Sequence, residues 1–173
     1  MIRLPPALAP LVLASALATG CNPVTGTGPG TPPAPGRFLH ADPASRSAVV
    51  TLVAGYPATD YTFNYNGYSY GTLVITVPVG WAITLQCQNH ATVPASCAVV
   101  DGPASTAPLR PAWSTSDPTR GVPPGGSESF TFTPDAPGRI RIASLVGGDE
   151  ASGMWSTLVV TAQGEPAISA PGS

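Results

Sequence analysis

The chain has 173 residues, of which 43% are hydrophobic and only 9% are charged, with 22 Pro, 19 Gly and a net charge of -2. So few charged side chains and so much Pro and Gly argue against a helical bundle or a coiled coil, whose outer faces need charge. All seven basic residues are Arg and form no basic stripe, so we expect no nucleic-acid partner.

The first twenty residues have the pattern of an export signal. Arg3 supplies a positive charge, an apolar run extends from Leu4 to Ala18, and small residues lead to Cys21. The run is interrupted by prolines and is shorter than the roughly 20 residues that a membrane-spanning helix needs. The pattern resembles a bacterial lipoprotein signal, which implies cleavage before Cys21 and lipidation of its thiol. An ordinary secretory signal and a retained membrane helix are the alternatives.

These features divide the chain into four segments. Residues 1–20 are interpreted as the signal peptide, and 21–45 as the lipidated Cys21 followed by a Pro/Gly-rich tether. Residues 46–162 are predicted to form the folded domain and 163–173 a flexible tail, because both flanking stretches have too few apolar residues to offset chain entropy. The expected location is therefore extracytoplasmic, at the cell envelope, with the membrane as a partner through the lipid anchor.

The domain sequence consists of short apolar runs with period-two alternation, separated by turn residues. The prolines interrupt every candidate helical pattern before it reaches ten residues. About eight strands in a domain of this length predict an all-β sandwich. The longest irregular piece, 101–124, is predicted to be a loop that packs on the sandwich. The predicted strands are Ala48–Ala54, Tyr61–Tyr65, Thr72–Val77, Ala82–Gln88, Ser96–Val100, Ser127–Thr133, Arg139–Val146 and Trp155–Thr161.

Five segments of the domain are similar to sulfocyanins, which are blue-copper electron carriers. They are TLVAG at 51–55, FNYNGY at 63–68, TLVITVPVGW at 72–81, GVPPG at 121–125 and GMW at 153–155. The resemblance covers nearly the whole domain in the same order. It implies a cupredoxin-like Greek-key β-sandwich.

The resemblance also implies where copper ligands would stand. A sulfocyanin binds copper through two His, one Cys and a weak axial Met, a soft donor set that suits type 1 copper. Here Ala95 stands at the first His position, Ser144 at the Cys position and Asp149 at the second His position, and only Met154 matches. Three of the four ligands are thus absent, so no metal and no cofactor are expected. Copper enters only under an alternative interpretation.

Two alternatives keep copper. The first is an electron carrier of the sulfocyanin type, which the resemblance suggests and the ligand set opposes. The second is a weak copper-binding protein with a displaced site made from His90, Asp149 and Met154. His90 is otherwise interpreted as a solvated loop histidine, and His40 falls in the predicted tether.

Cys87 and Cys97 form an even pair in an oxidising compartment once Cys21 is lipidated. Alternation along the chain predicts that both thiols point into the core. Because the two strands lie in opposite sheets of a cupredoxin, a disulfide between them is predicted to bridge the sandwich. The alternatives are two buried free thiols or, less readily, a redox-active pair.

No catalytic motif is present, and neither His belongs to a recognisable triad, so the chain is not expected to be an enzyme. The adjacent acids Asp149 and Glu150 are interpreted as a solvated loop end. The leading hypothesis is a non-redox binding or structural module whose partner is an unidentified envelope protein or small ligand.

Overall fold

A computed structural model describes residues 32–56 and 62–171, and within these ranges nine strands and one short 3-10 helix are formed. No helix in the described ranges is long and apolar enough to cross a membrane. The predicted signal peptide and Cys21 lie outside the described residues. The 3-10 helix is Pro35–Phe38, and the strands are β1 Leu39–Asp42, β2 Ser47–Ala54, β3 Val74–Pro78, β4 Ala82–Asn89, β5 Ala98–Val100, β6 Ser127–Phe132, β7 Gly138–Ala143, β8 Trp155–Thr161 and β9 Ala167–Ser169.

The strands form two sheets, which confirms the predicted all-β sandwich. The first sheet has the order β1-β2-β4-β6 and the second has the order β5-β7-β8-β3-β9. Consecutive strands repeatedly change sheet: β2 and β4 pair in parallel in the first sheet, while β3 pairs in parallel with β8 in the second. This exchange between sheets is the Greek-key connectivity expected of a cupredoxin-like sandwich.

Alternation along the strands builds the core between the sheets. In β4, the side chains of Ile83, Leu85 and Cys87 are buried, whereas those between them are at least partly exposed. Leu158 and Val160 of β8 face them from the second sheet and join the same apolar cluster. Burial of this cluster supplies the main favourable free energy of the fold.

One predicted strand is wrong. Tyr61 lies outside the described residues, and the remainder of the predicted strand Tyr61–Tyr65 is loop apart from two isolated bridges at Tyr65. Asparagine side chains compete with strand pairing here: Asn64 Oδ1 accepts from Gly67 N at 2.8 Å and Asn66 Oδ1 accepts from Val53 N at 2.6 Å. Such side chain–backbone bonds favour turns over extended strands.

The folded unit extends beyond the predicted limits of 46–162. In the predicted tether, β1 pairs with β2, so His40 is an exposed strand residue opposite Val49. In the predicted tail, β9 pairs with β3. Both are short edge strands that the sequence does not mark, because their pairing depends on partner strands already fixed in the sheets.

The long connection after β5 packs against the sandwich, as predicted. Trp113 is buried, its ring lies 5.4 Å from that of Phe132, and its carbonyl accepts from Val99 N at 2.9 Å. Thr115 N donates to Cys97 O at 3.0 Å. The connection therefore covers the edge of the second sheet at β5.

The sandwich has two ends, and different connections between strands lie at each. We call the upper end the one where β2 and β4 finish and where β7 and β8 are joined. It contains the connections 62–73, 90–97, 121–126 and 144–154. The lower end contains the β1–β2, β3–β4 and β6–β7 turns and residues 162–166.

Candidate functional site

The upper end brings together the four residues predicted to occupy the sulfocyanin ligand positions, which we call the ligand-position cluster: Ala95, Ser144, Asp149 and Met154. Ala95 is held by a pair of backbone hydrogen bonds with Val122, at 3.2 and 2.8 Å. The other three lie in the β7–β8 connection, which is closed by Ser144 N donating to Met154 O at 3.1 Å and Met154 N donating to Asp149 O at 3.0 Å. All four are 4% exposed or less.

Hydrogen bonds connect the polar members of the cluster to Ser96. The Ser144 hydroxyl donates to Asp149 Oδ2 at 2.6 Å and accepts from Ser96 N at 3.1 Å. The Ser96 hydroxyl accepts from Leu145 N at 2.9 Å and lies 3.4 Å from Ser144 Oγ. The buried polar groups of the cluster are therefore satisfied by one another, as stable interiors require.

Tyr65 extends this network into the core. Its side chain is fully buried and its hydroxyl donates to Ser96 O. Burial, with a further contribution from the negative charge of Asp149, raises the pKa of Tyr65 well above its usual value. Burial also raises the pKa of Asp149, and the hydrogen bond from Ser144 partly offsets that rise.

The expectation that Asp149 and Glu150 form a solvated loop end is wrong. Asp149 is 4% exposed and faces the core. Glu150 accepts from Arg141 Nη1 at 2.8 Å, and the Arg141 guanidinium also lies 3.7 Å from the centre of the Trp155 ring. Adjacent acids do point in different directions, but each finds its own partner because the loop folds back on β7.

The donor set of the cluster does not fit type 1 copper. Copper of that kind requires a thiolate and two imidazoles with a weak axial thioether. Ala95 offers a methyl group, Ser144 offers a hydroxyl that is already bonded to Asp149, and only Met154 offers a matching donor. A carboxylate and a hydroxyl are hard donors that suit other cations better.

The structure does not assemble the displaced site either. Its predicted members differ in solvent exposure. His90 is exposed directly after β4, whereas Asp149 and Met154 are buried. In the described ranges, no three His, Cys, Asp or Glu side chains come together as metal ligands would.

The predicted disulfide is present. Cys87 of β4 and Cys97, which directly precedes β5, are bonded with their Cα atoms 6.0 Å apart. Both residues are completely buried, so the bond crosses the core from one sheet to the other. Cys97 lies two residues from Ala95. Because its sulfur is part of the disulfide, it is unavailable as a substitute thiolate.

Sequence reasoning missed Tyr65 and Ser96 as parts of the site. Tyr65 belongs to a tyrosine-rich stretch that gives no sign of which ring is buried. For Ser96, the alternation that places Ala95 and Cys97 toward the core predicts the opposite face. Its burial results from the β7–β8 connection, which covers that face at the upper end.

Comparison with known proteins agrees with this architecture. The sulfocyanin (SoxE) domain family matches residues 37–115. Sulfocyanin from Sulfolobus acidocaldarius is 24% identical over an alignment of 131 positions, which covers 68% of this chain and 65% of that protein. The match thus spans slightly less than two thirds of the curated relative.

Solved structures share the fold at low identity. A multicopper oxidase from Campylobacter jejuni aligns with a TM-score of 0.53 at 14% identity, covering 73% of this chain and 28% of that chain. A laccase from Pediococcus acidilactici aligns with a TM-score of 0.51 at 18% identity, covering 77% and 30%. The two-sheet topology and these likenesses show a cupredoxin fold, and the sequence of the domain is similar to that of sulfocyanins over residues 37–115.

Proposed function

We propose that this chain is an extracytoplasmic lipoprotein, anchored through Cys21, whose sulfocyanin-like domain no longer holds type 1 copper. Its role is that of a non-redox binding or structural module at the cell envelope. The partner is an envelope protein or a small ligand, and the domain performs no catalysis of its own.

A single observation carries the loss of copper: the Ser144 hydroxyl donates a hydrogen bond to the Asp149 carboxylate at 2.6 Å, at the positions predicted for a thiolate and an imidazole. Together with Ser96, this pair satisfies its own hydrogen bonds inside the protein. The arrangement supports an interior that is stable without a metal, because a partly satisfied polar cluster would be costly.

A shallow depression beside the cluster supports a binding role. Ser144 lies in its lining, which is otherwise formed mostly by small residues such as Ser105, Thr119 and Gly148, together with Leu145 and Glu150. Neither His40 nor His90 lines the depression, so neither can activate a nucleophile there, which supports a non-catalytic role.

The alternative is a copper-binding electron carrier, or a weak copper-binding protein with a displaced site. It is favoured by one residue, Met154, which keeps the axial donor, and by the family likeness. Under this alternative His90 and Asp149 would have to leave their present surroundings.

Copper titration of the purified full chain tests the proposal. Visible absorption, electron paramagnetic resonance and metal analysis after gel filtration are the readouts. We expect colourless protein that retains no stoichiometric copper. An intense blue thiolate-to-copper band would overturn the loss of type 1 copper, and retained colourless copper would establish the displaced site. Protein carrying Met154→Leu is the matched control, since it removes the remaining family donor at nearly constant volume.

A further inference from the structure

The N-terminal segment enters the sandwich at the upper end. The Tyr68 hydroxyl donates to Pro33 O at 3.1 Å. Gly67 packs so closely on Pro32 that a Cβ at this glycine would lie 2.9 Å from the Pro32 Cβ. Both contacts are with the 62–73 connection, so the described chain begins at the upper end of the sandwich.

The path from Cys21 to this entry point is short. Eleven residue steps separate Cys21 from Pro32, and a chain of that length reaches at most about 40 Å when fully extended. The eight residues of β4 alone span about 26 Å from the upper to the lower end. The lower end can approach the membrane surface to which Cys21 is attached only if the segment between Cys21 and Pro32 runs back along the domain.

The upper end is poor in charge and presents apolar groups. Tyr70 is 56% exposed and Val93 is 38% exposed, and Pro94, Pro123 and Pro124 are exposed beside them. Its four described connections contain two acids, one buried and the other paired with Arg141. Asp117 and Arg120, next to 121–126, are exposed charges of opposite sign, and Arg37 in the 3-10 helix before β1 is a further exposed charge.

The lower end has the opposite character. Exposed charged side chains are distributed over its turns, and one of them, Asp135, pairs with Arg110. Placing these groups against lipid would remove water from them at a cost that the upper end avoids. The charged residues are Asp42, Arg46, Asp135 and Glu165.

We infer that the upper end of the sandwich faces the lipid bilayer, with Tyr70 and Val93 at the headgroup interface. This orientation rests on the proposed attachment at Cys21. Tyrosine suits that interface because its ring is apolar and its hydroxyl is polar. The ligand-position cluster is then on the membrane side, and a water-soluble partner reaches the domain through its lateral faces or its charged lower end.

Site-directed fluorescence quenching tests this orientation. The full lipidated chain is placed in phosphatidylcholine vesicles that contain a headgroup-nitroxide lipid, with one fluorophore per protein. Thr92→Cys and Val93→Cys mark the upper end, and Ala44→Cys and Ala136→Cys mark the lower end; all four positions are exposed. Two labels at each end keep the comparison valid if one variant misfolds.

We expect quenching at the upper labels to exceed quenching at the lower labels severalfold. Equal quenching at both ends, or stronger quenching at the lower end, would overturn the orientation. Absence of quenching at all labels on vesicle-bound protein would also overturn it and would leave the upper end open to a protein partner. Flotation of wild-type and Cys21→Ser protein with vesicles distinguishes failure of the proposed anchor from failure of the proposed orientation. If wild type does not float, the anchor at Cys21 is refuted. If wild type floats but quenching is stronger at the lower end, only the orientation is refuted.

Discussion

The Ser144 hydroxyl donates a 2.6 Å hydrogen bond to the Asp149 carboxylate, and both side chains are buried at the upper end of the sandwich. The sequence resemblance predicts that the two residues stand where a sulfocyanin has a thiolate and an imidazole. In place of two donors aimed at a metal, the chain has a donor and an acceptor aimed at each other. The cluster is thus held together by its own hydrogen bonds.

Restoring the donor set tests the assignment of the four positions. The triple variant Ala95→His, Ser144→Cys, Asp149→His, with Met154 retained, should bind copper with an intense blue band, because it supplies a thiolate, two imidazoles and a thioether. Absorption and metal analysis are the measurements, and circular dichroism checks folding, since enlarging a buried alanine costs roughly 1–3 kcal/mol.

The double variant Ala95→His, Asp149→His is the matched control for this restoration. It lacks the thiolate and should show no blue band even if it retains copper. A folded triple variant without the band would mean that these four residues are not the ligand positions.

Removing the Ser144 hydroxyl should destabilise the domain. Ser144→Ala leaves the buried Asp149 carboxyl without its side-chain donor, and such a loss costs about 1–3 kcal/mol. Urea unfolding followed by tryptophan fluorescence measures the change. Ser129→Ala, at an exposed position of β6, is the control and should change stability by less than about 0.5 kcal/mol. Equal effects of the two variants would contradict the structural importance of the pair.

Asp149 should make stability depend on pH. Burial raises its pKa in the folded state above the ordinary value of 3.8, so the folded protein binds this proton more tightly than the unfolded chain does. The free energy of unfolding therefore falls as pH rises from 3.8 through the folded pKa, and the loss is complete above it. The expected result is that the stability of Asp149→Asn relative to wild type increases over this range.

Denaturant unfolding of both proteins at pH values from about 3 to about 8 measures the difference between their free energies of unfolding. The contributions of the other acids are the same in both proteins and cancel in this difference. A relative stability that is constant with pH would show that Asp149 titrates alike in the folded and unfolded chains.

The Cys87–Cys97 bond should stabilise the fold. It closes a loop with a sequence separation of 10, which corresponds to about 3 kcal/mol in the chain-entropy model. The variant Cys87→Ala, Cys97→Ala should lose about that much in guanidinium unfolding. Wild type unfolded and refolded with reductant should behave like the variant. No difference between oxidised and reduced wild type would refute the contribution of the bond.

Gly71 should not tolerate a side chain. Its φ is +71°, and a Cβ there would lie 1.9 Å from the Trp155 ring. Gly71→Ala should therefore lower stability by roughly 1–3 kcal/mol through backbone strain and overpacking. Gly147→Ala, where a Cβ meets nothing within 4 Å, is the control. Thermal unfolding of the two variants gives the comparison, and a Gly71→Ala protein as stable as the control would refute the close packing.

Much of the fold is determined locally. The alternation in Ala82–Asn89 places Ile83, Leu85 and Cys87 on one face whatever the rest of the chain does, because successive side chains of a strand point to opposite sides. The same alternation predicts that Cys97 lies inward. Alternation therefore predicts the β-sandwich and the inward direction of both thiols, and the resemblance to cupredoxins, which places the two strands in opposite sheets, adds the prediction of the disulfide.

Tertiary structure decided what alternation cannot express. β1 and β9 are strands because β2 and β3 offer them free edges, and Ser96 is buried because the β7–β8 connection folds over it. Asp149 is likewise in the core, although its sequence neighbourhood of Gly and acid predicts solvent. The sequence alone predicts which ligands of the sulfocyanin set are absent. Only the three-dimensional packing decided that Ser144 is hydrogen-bonded both to Asp149 and to Ser96, since Ser96 lies 48 residues away along the chain.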